Sequence, residues 1–149
     1  MFQQPAEDRL RSWRDFRATI EPLPLENALA QTAEYWASAP FVPYYLDESN
    51  PTMWPNPWEL ISENTYCDVA KCLGIVYTIS LTEHKKNLDV EFRVYVDHKK
   101  NYLYNLAWFA QGKYILNLID GMVVNIKQLD DSFELKHTYT AVDLQLDNY

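Results

Sequence analysis

Cys67 is the residue of this sequence best placed to act as a nucleophile, because the pattern around it predicts the start of a helix. A helix N-terminus stabilises a thiolate, which is the form of cysteine that attacks a carbonyl carbon. His84, Asp97 and His98 come later in the chain, in roughly the order that papain-like and transglutaminase-like folds require. One candidate function is therefore a cytoplasmic cysteine-dependent hydrolase or acyltransferase that uses Cys67.

Three features of the sequence argue against this chemistry. His84 and His98 fall in predicted turns rather than on strands. No Gly-rich stretch surrounds Cys67 to free the backbone for an oxyanion hole, and the neighbouring carboxylate of Asp68 disfavours a thiolate. The residues by themselves therefore predict a small buried core thiol at Cys67 and no catalytic residue.

The sequence predicts neither a metal site nor a cofactor. Cys67 and Cys72 lack the close spacing of a zinc knuckle, and the three His at 84, 98 and 137 show no paired spacing. Each of the three Gly is explained by a predicted turn or helix stop, so no phosphate-binding loop is present.

Composition limits the class of protein. A length of 149 residues predicts a single domain over 1–149, and a hydrophobic content of 48% excludes disorder. The net charge of −8 argues against nucleic-acid binding, because phosphates would be repelled. The apolar runs are too short for a membrane span and the N-terminus is too polar for a signal peptide. Two Cys do not make a disulfide framework, so a reducing compartment is expected.

Helical spacing dominates residues 1–74. Apolar residues spaced by three and four predict helices over about 6–20 and from about 25 to just before Pro40. Asn56 before Pro57, with Glu59 three residues after the cap, predicts a third helical start. A last helical segment is expected to end at Gly74, which supplies the left-handed stop.

Alternation dominates residues 75–149. It predicts strands over 75–81, 88–96 and 133–139, and Asp120-Gly121 predicts a two-residue hairpin. Short connections imply antiparallel neighbours. The sequence therefore predicts an α+β fold, with N-terminal helices packed on a C-terminal antiparallel β-meander and the boundary between them at residue 74.

The segment 40–57, here called the strap, contains five of the eight Pro and four aromatic residues. Its apolar content predicts an ordered segment, and Pro lowers the entropy lost when such a segment binds in extended form. Aromatic residues supply much of the energy at protein interfaces. The predicted partner-binding residues are Phe41, Tyr44, Tyr45 and Trp54; the alternative is that all four fold back onto the domain.

The strings SWRDFR, APFVPYYLD and MWPNPWELISENTYCDVAKCLGIVYTISLTEH resemble an uncharacterised family of small proteins from large marine tailed phages, including those of cyanobacteria. The resemblance is strongest over Trp54–Thr82. It implies a phage origin, and through it a non-enzymatic structural component of the phage particle at the neck, tail or baseplate. The expected partners are other phage structural proteins, with copies of itself in a ring as a further option, and neither nucleic acid nor membrane. The expected location is the virion, with the host cytoplasm during assembly.

Overall fold

Four α-helices occupy the first part of the chain in the computed structural model, which describes all residues 1–149. They are α1 (Ala6–Ile20), α2 (Leu25–Ala37), α3 (Pro57–Glu63) and α4 (Asp68–Ser80). The capping box predicted for α3 is present: the Asn56 side chain accepts from the Glu59 amide at 2.9 Å, and the Glu59 side chain accepts from the Asn56 amide at 3.1 Å. Helices α1 and α2 therefore lie close to their predicted ranges, and α3 begins at its predicted cap.

The predicted boundary between helices and strands at residue 74 is wrong, because helix α4 continues past it. Residues 75–80 were predicted to begin a strand, but they continue the helix to Ser80, and Gly74 lies inside it. Twelve of the thirteen residues of α4 are buried. A helix enclosed on all sides has no polar face, so its β-branched residues give an alternating pattern without forming a strand.

Five strands form one antiparallel sheet in the order β4-β3-β2-β1-β5. Their bounds are β1 (Val90–Asp97), β2 (Tyr102–Phe109), β3 (Tyr114–Leu116), β4 (Val123–Val124) and β5 (Phe133–Thr140). The α+β class predicted from the sequence is confirmed. The first four strands follow one another across the sheet, whereas β5 returns to pair with the free edge of β1.

The predicted Asp120-Gly121 hairpin is longer than two residues. β3 ends at Leu116 and β4 begins at Val123, so six residues connect them. Two of these residues have positive φ, Asn117 at 74° and Gly121 at 77°. Strands β3 and β4, on either side of this turn, are correspondingly short, with three and two residues.

The main core lies between the helices and one face of the sheet. At its centre the indole N–H groups of Trp13 and Trp36 both donate to the Thr78 hydroxyl oxygen, at 3.0 and 2.9 Å. The Thr78 hydroxyl in turn donates to the Gly74 carbonyl at 2.6 Å. One side chain of α4 therefore satisfies the polar atoms of two buried indoles from α1 and α2.

The strap is ordered by contacts with the domain. Phe41 forms an isolated parallel bridge with Tyr66, and the Val42 amide donates to the Tyr66 carbonyl at 3.0 Å. Trp54 packs its ring against Phe92, with centroids 4.8 Å apart. None of the helices has both the length and the apolar character needed to cross a membrane.

Candidate active site around Cys67

Cys67 is the N-cap residue of α4, with extended backbone angles of φ −79° and ψ −179°. The bridge between Phe41 and Tyr66 holds the preceding residue extended, so the helix begins immediately after Cys67. The Cys67 carbonyl accepts the Lys71 amide at 2.9 Å, while its side chain makes no capping hydrogen bond. The predicted position of this thiol at a helix start is therefore correct.

An open cleft of about 460 Å³ lies over this helix start. Three segments line it: the strap, the first residues of α4, and the turn that leads into β2. The lining residues are Phe41, Pro43, Tyr44, Leu46, Glu48, Cys67, Asp68, Val69, Asn101, Tyr102, Leu103 and Asn105. Most of these are apolar or aromatic, with a few polar groups near the thiol, which is typical of a small-molecule or peptide site.

Asp68 joins α4 to the sheet through a network of amide groups. One carboxylate oxygen accepts from Asn105 Nδ2 at 2.7 Å and from the Asn105 backbone N at 3.3 Å. The other accepts from Asn117 Nδ2 at 3.2 Å, and that same nitrogen donates to the Asn105 carbonyl at 2.8 Å. The network fixes the start of α4 against β2 and the turn after β3.

Burial raises the pKa of the Asp68 carboxyl above its usual value, although the amide donors of Asn105 and Asn117 and the charge of Lys71 act in the opposite direction. Burial also raises the pKa of the Tyr102 phenol, and the charge of Asp68 adds to that effect. The cleft thus contains a carboxyl group that holds its proton more strongly than an exposed Asp.

Asn105 has an unused hydrogen-bond acceptor. Its side chain is buried, with 4% of the residue exposed, and its Oδ1 has no partner. The contact of Nδ2 with Asp68 fixes the orientation of the amide, because a flipped amide would place oxygen against the carboxylate. A buried acceptor without a donor is costly, so this atom marks a point where the cleft can gain by binding an N–H or O–H group.

The predicted catalytic partners of Cys67 do not assemble. His84 Nε2 lies 3.0 Å from the Ile20 carbonyl, and His98 Nε2 lies 2.9 Å from a Glu134 carboxylate oxygen. Asp97 is buried, and its carboxylate accepts from the Lys99 amide and the Ser132 hydroxyl. The arrangement of Cys67 with His84, Asp97 and His98 that the alternative hydrolase interpretation invoked is therefore absent from the cleft, which no histidine lines.

The four strap aromatics predicted to bind a partner separate into two groups. Phe41, Tyr44 and Tyr45 are exposed, and Tyr44 is fully so. Trp54 turns inward between Phe92 and Tyr139, and its indole donates to the Asp47 carbonyl at 2.8 Å. Contact of these residues with another protein stays a prediction.

The second cysteine does not share the cleft. Cys72 is fully buried in the core, and burial raises the pKa of its thiol well above the usual value. The side chains of His, Cys, Asp and Glu do not come together in any group of three or more that could hold a metal ion.

Sequence reasoning missed three residues of this site. Asp68 entered it only as a neighbour of Cys67, and Asn105 and Asn117 were not singled out at all. A signal for Asn105 was nevertheless present, since it is a polar residue inside the apolar stretch YLYNLAWF. A buried amide in such a strand requires a partner, and here the partner is Asp68.

Comparisons with known proteins place this fold among solved structures. No family model matches the chain, and no curated protein matches it. The structure of calcium-bound LapG from Legionella pneumophila aligns with a TM-score of 0.73 at 11% identity, covering 93% of this chain and 78% of that one. LapG from the same organism, untreated and EGTA-treated, aligns with the same TM-score, identity and coverage of this chain, over 76% of each LapG chain.

These matches correct the functional predictions made from the resemblance. The fold resembles that of LapG, a protein of the bacterium Legionella pneumophila. The assignment to a phage protein family is therefore wrong, and with it the non-enzymatic structural role at the neck, tail or baseplate and the virion location. At 11% identity the likeness concerns the fold: this chain has the α+β architecture of LapG, with Cys67 at the start of its central helix.

Proposed function

We propose that this chain is a cysteine-dependent hydrolase or acyltransferase in which Cys67 is the nucleophile. The observation that carries the proposal is the position of Cys67, the N-cap residue of a buried 13-residue helix, in the lining of a cleft of about 460 Å³. The fold shared with LapG supports the same class of chemistry. Cys67 is itself buried, with 2% of the residue exposed, as the sequence predicted; Cys72 lies deeper in the core and does not line the cleft.

The start of α4 supplies electrostatic stabilisation for the reaction. The first amides of a helix have no carbonyl partner within it, and the helix dipole places partial positive charge there. Both effects favour the negative charge that develops on a carbonyl oxygen under attack at this position. This arrangement needs no Gly-rich loop, which is the feature whose absence argued against catalysis from the sequence.

The thiol proton requires an acceptor, and no imidazole lines the cleft. We assign this role to Asp68, since burial raises the pKa of its carboxyl and makes it a better base than an exposed carboxylate. Transfer of the proton leaves Asp68 neutral, so the thiolate no longer faces a negative charge. Asn105 and Asn117 position the Asp68 carboxyl through the hydrogen bonds described above.

The reaction proceeds in two steps. The thiolate of Cys67 attacks the carbonyl carbon of an acyl donor, an acyl–sulfur bond forms, and the leaving group departs with the proton held by Asp68. Water or another nucleophile then attacks the thioester, releases the acyl group and returns a proton to the sulfur. Water as acceptor gives hydrolysis, and an amine or hydroxyl as acceptor gives acyl transfer.

Acylation by an activated ester tests the proposal directly. Incubation with p-nitrophenyl acetate should add one acetyl group at Cys67, detected by intact-mass and peptide mass spectrometry, with an initial burst of nitrophenolate. Cys67→Ala should abolish both signals, and Cys72→Ala should preserve them. Release of nitrophenolate at equal rates by the wild type and Cys67→Ala would overturn the proposal.

Alkylation tests the role of Asp68. Iodoacetamide should modify Cys67 in the native protein faster than it modifies Cys72, which serves as an internal control. Asp68→Asn should slow alkylation of Cys67 near neutral pH, because the thiol then loses its proton acceptor. Faster alkylation in Asp68→Asn would show that Asp68 opposes the thiolate by its charge, and would overturn its assignment as the base.

A further inference from the structure

The charged groups that line the cleft are all acidic. Glu48 from the strap and Asp68 from α4 are its two ionisable carboxyl groups, and no Lys or Arg lines it. The chain as a whole carries a net charge of −8, so the surrounding field has the same sign. A negatively charged side chain of a ligand would meet two carboxyl groups and no Lys or Arg with which to pair, whereas a cationic side chain would be attracted.

Three aromatic residues that line the cleft are exposed to solvent and are here called its rim: Phe41, Tyr44 and Tyr102. Tyr44 is fully exposed and holds a left-handed backbone angle of φ 51°, and Tyr102 and Phe41 are about half exposed, at 48% and 58%. Aromatic faces attract ammonium and guanidinium groups and also pack against aliphatic chains. A side chain with an apolar stem and a cationic head fits both properties of this rim.

The unpartnered acceptor of Asn105 provides a further point of contact. Its Oδ1 is buried and has no partner, the residue itself lines the cleft, and the orientation of the amide is fixed by Asp68. A backbone N–H or a cationic N–H of a ligand would satisfy it, while a carboxylate would not. The charge, the rim and this acceptor all favour the same kind of ligand.

We propose that the cleft over Cys67 binds peptide-like acyl donors that carry a cationic side chain with an apolar stem, such as Lys or Arg. Glu48 and Asp68 attract the cation, the aromatic rim packs on the stem, and Asn105 Oδ1 accepts an N–H from the peptide. The acyl-transfer step rests on the proposed function, but the binding preference does not, because it depends only on the lining of the cleft.

Binding is measured with Cys67→Ala, so that no covalent step contributes. A set of capped peptides identical except for one central Lys, Gln or Glu is titrated by isothermal titration calorimetry at low salt. The Lys peptide should bind about tenfold more tightly than the Glu peptide, with the Gln peptide between them. The difference should shrink at high salt, because the cleft is open to solvent.

Glu48 lines the cleft but takes no part in the proposed reaction, so it can be changed without altering the reacting groups. Glu48→Gln in the Cys67→Ala background should reduce the preference for Lys over Glu several-fold, while Glu7→Gln on the exposed surface of α1 should leave it unchanged. Equal binding of all three peptides, tighter binding of the Glu peptide, or no binding of any peptide would overturn the inference.

The outcomes of the two tests are separable. Lys-selective binding without acylation of the wild-type Cys67 would remove the proposed function and leave the binding inference in place. Acylation of Cys67 by p-nitrophenyl acetate, together with equal binding of the three peptides, would leave the proposed function in place and remove the binding inference.

Discussion

Trp36 of α2 lies directly over Gly74 of α4, so that a Cβ built at residue 74 would stand 2.5 Å from the indole ring. Real Cβ atoms do not approach a ring that closely, and the ring is held in place by its hydrogen bond to Thr78 one turn along α4. Gly74 therefore serves as a contact surface between two helices. Its role is steric, and the left-handed stop expected at this position does not exist.

Gly74→Ala should destabilise the protein. Alanine favours a helix interior by about 1 kcal/mol over glycine, but the new methyl group overpacks the core, which typically costs about 1–3 kcal/mol. We expect the steric effect to prevail, because the indole cannot move without losing its hydrogen bond to Thr78. Chemical denaturation followed by tryptophan fluorescence measures the difference.

The double variant Gly74→Ala with Trp36→Leu provides the control for that prediction. Removing the ring relieves the clash, so the alanine should be less harmful in the Trp36→Leu background than in the wild type. Equal effects in the two backgrounds would show that the close approach of ring and backbone does not limit stability.

Thr78→Val should be strongly destabilising. The substitution keeps the shape of the side chain but removes the oxygen that accepts both Trp13 and Trp36. Each buried indole N–H left without a partner costs about 1–3 kcal/mol, so the free energy of unfolding should fall by about 2–6 kcal/mol. Thr78→Ser, which retains the hydroxyl, should lose much less. A small effect of Thr78→Val would mean that water replaces the lost acceptor.

Helices α3 and α4 show where sequence-based prediction of the fold succeeds and where it fails. The capping box of α3 depends on local side chains, and it was predicted correctly. The continuation of α4 to Ser80 depends on burial by α2 and the sheet, because Ile75, Val76 and Ile79 favour strands when considered alone. Only the tertiary contacts decide in favour of the helix.

The candidate site, too, could be predicted from the sequence only in part. The position of Cys67 at a helix start follows from sequence alone. Asn105 and Asn117, which hold the Asp68 carboxylate, come from a strand and a turn that reach the start of α4 only through the strand order and the register of β2 with β3. Spacing along the chain favoured His84 and His98, which the fold directs elsewhere.

Asp68 should make stability depend on pH in a defined direction. Its carboxyl has a raised pKa in the folded state, so the folded protein binds that proton more tightly than the unfolded chain does. The stabilising contribution is therefore fully present below the ordinary pKa of Asp and is lost as the pH rises through the raised folded value. We expect the free energy of unfolding of the wild type to fall over this range relative to that of Asp68→Asn.

Denaturant titrations of both proteins at a series of pH values from mildly acidic to neutral give the difference curve. Other acids titrate equally in the two proteins, so their contributions cancel. A difference that grows in favour of the wild type with rising pH would indicate that the amide donors and Lys71 outweigh the effect of burial on Asp68.

Asn56→Ala should weaken the start of α3. The side chain accepts from the Glu59 amide at 2.9 Å, and loss of such a cap costs about 1 kcal/mol. Asn50→Ala is a matched control, since Asn50 lies in the exposed strap and its side chain accepts only from the Thr52 hydroxyl in its own turn. Thermal unfolding monitored by circular dichroism should show a lower Tm for Asn56→Ala than for Asn50→Ala; equal values would remove the role assigned to the cap.

The return of β5 to the side of β1 determines the order in which the fold can be completed. β1 pairs with β2 as soon as that hairpin is made, but its other edge stays open until Phe133–Thr140 has been synthesised. Closing this distant pair is a slow step, and an open apolar edge can meanwhile pair with another chain. A chain that ends at Ser132 should therefore aggregate in light-scattering measurements, whereas the full chain stays monodisperse. Pairing of β5 with β1 thus protects the edge of β1 from association with other chains.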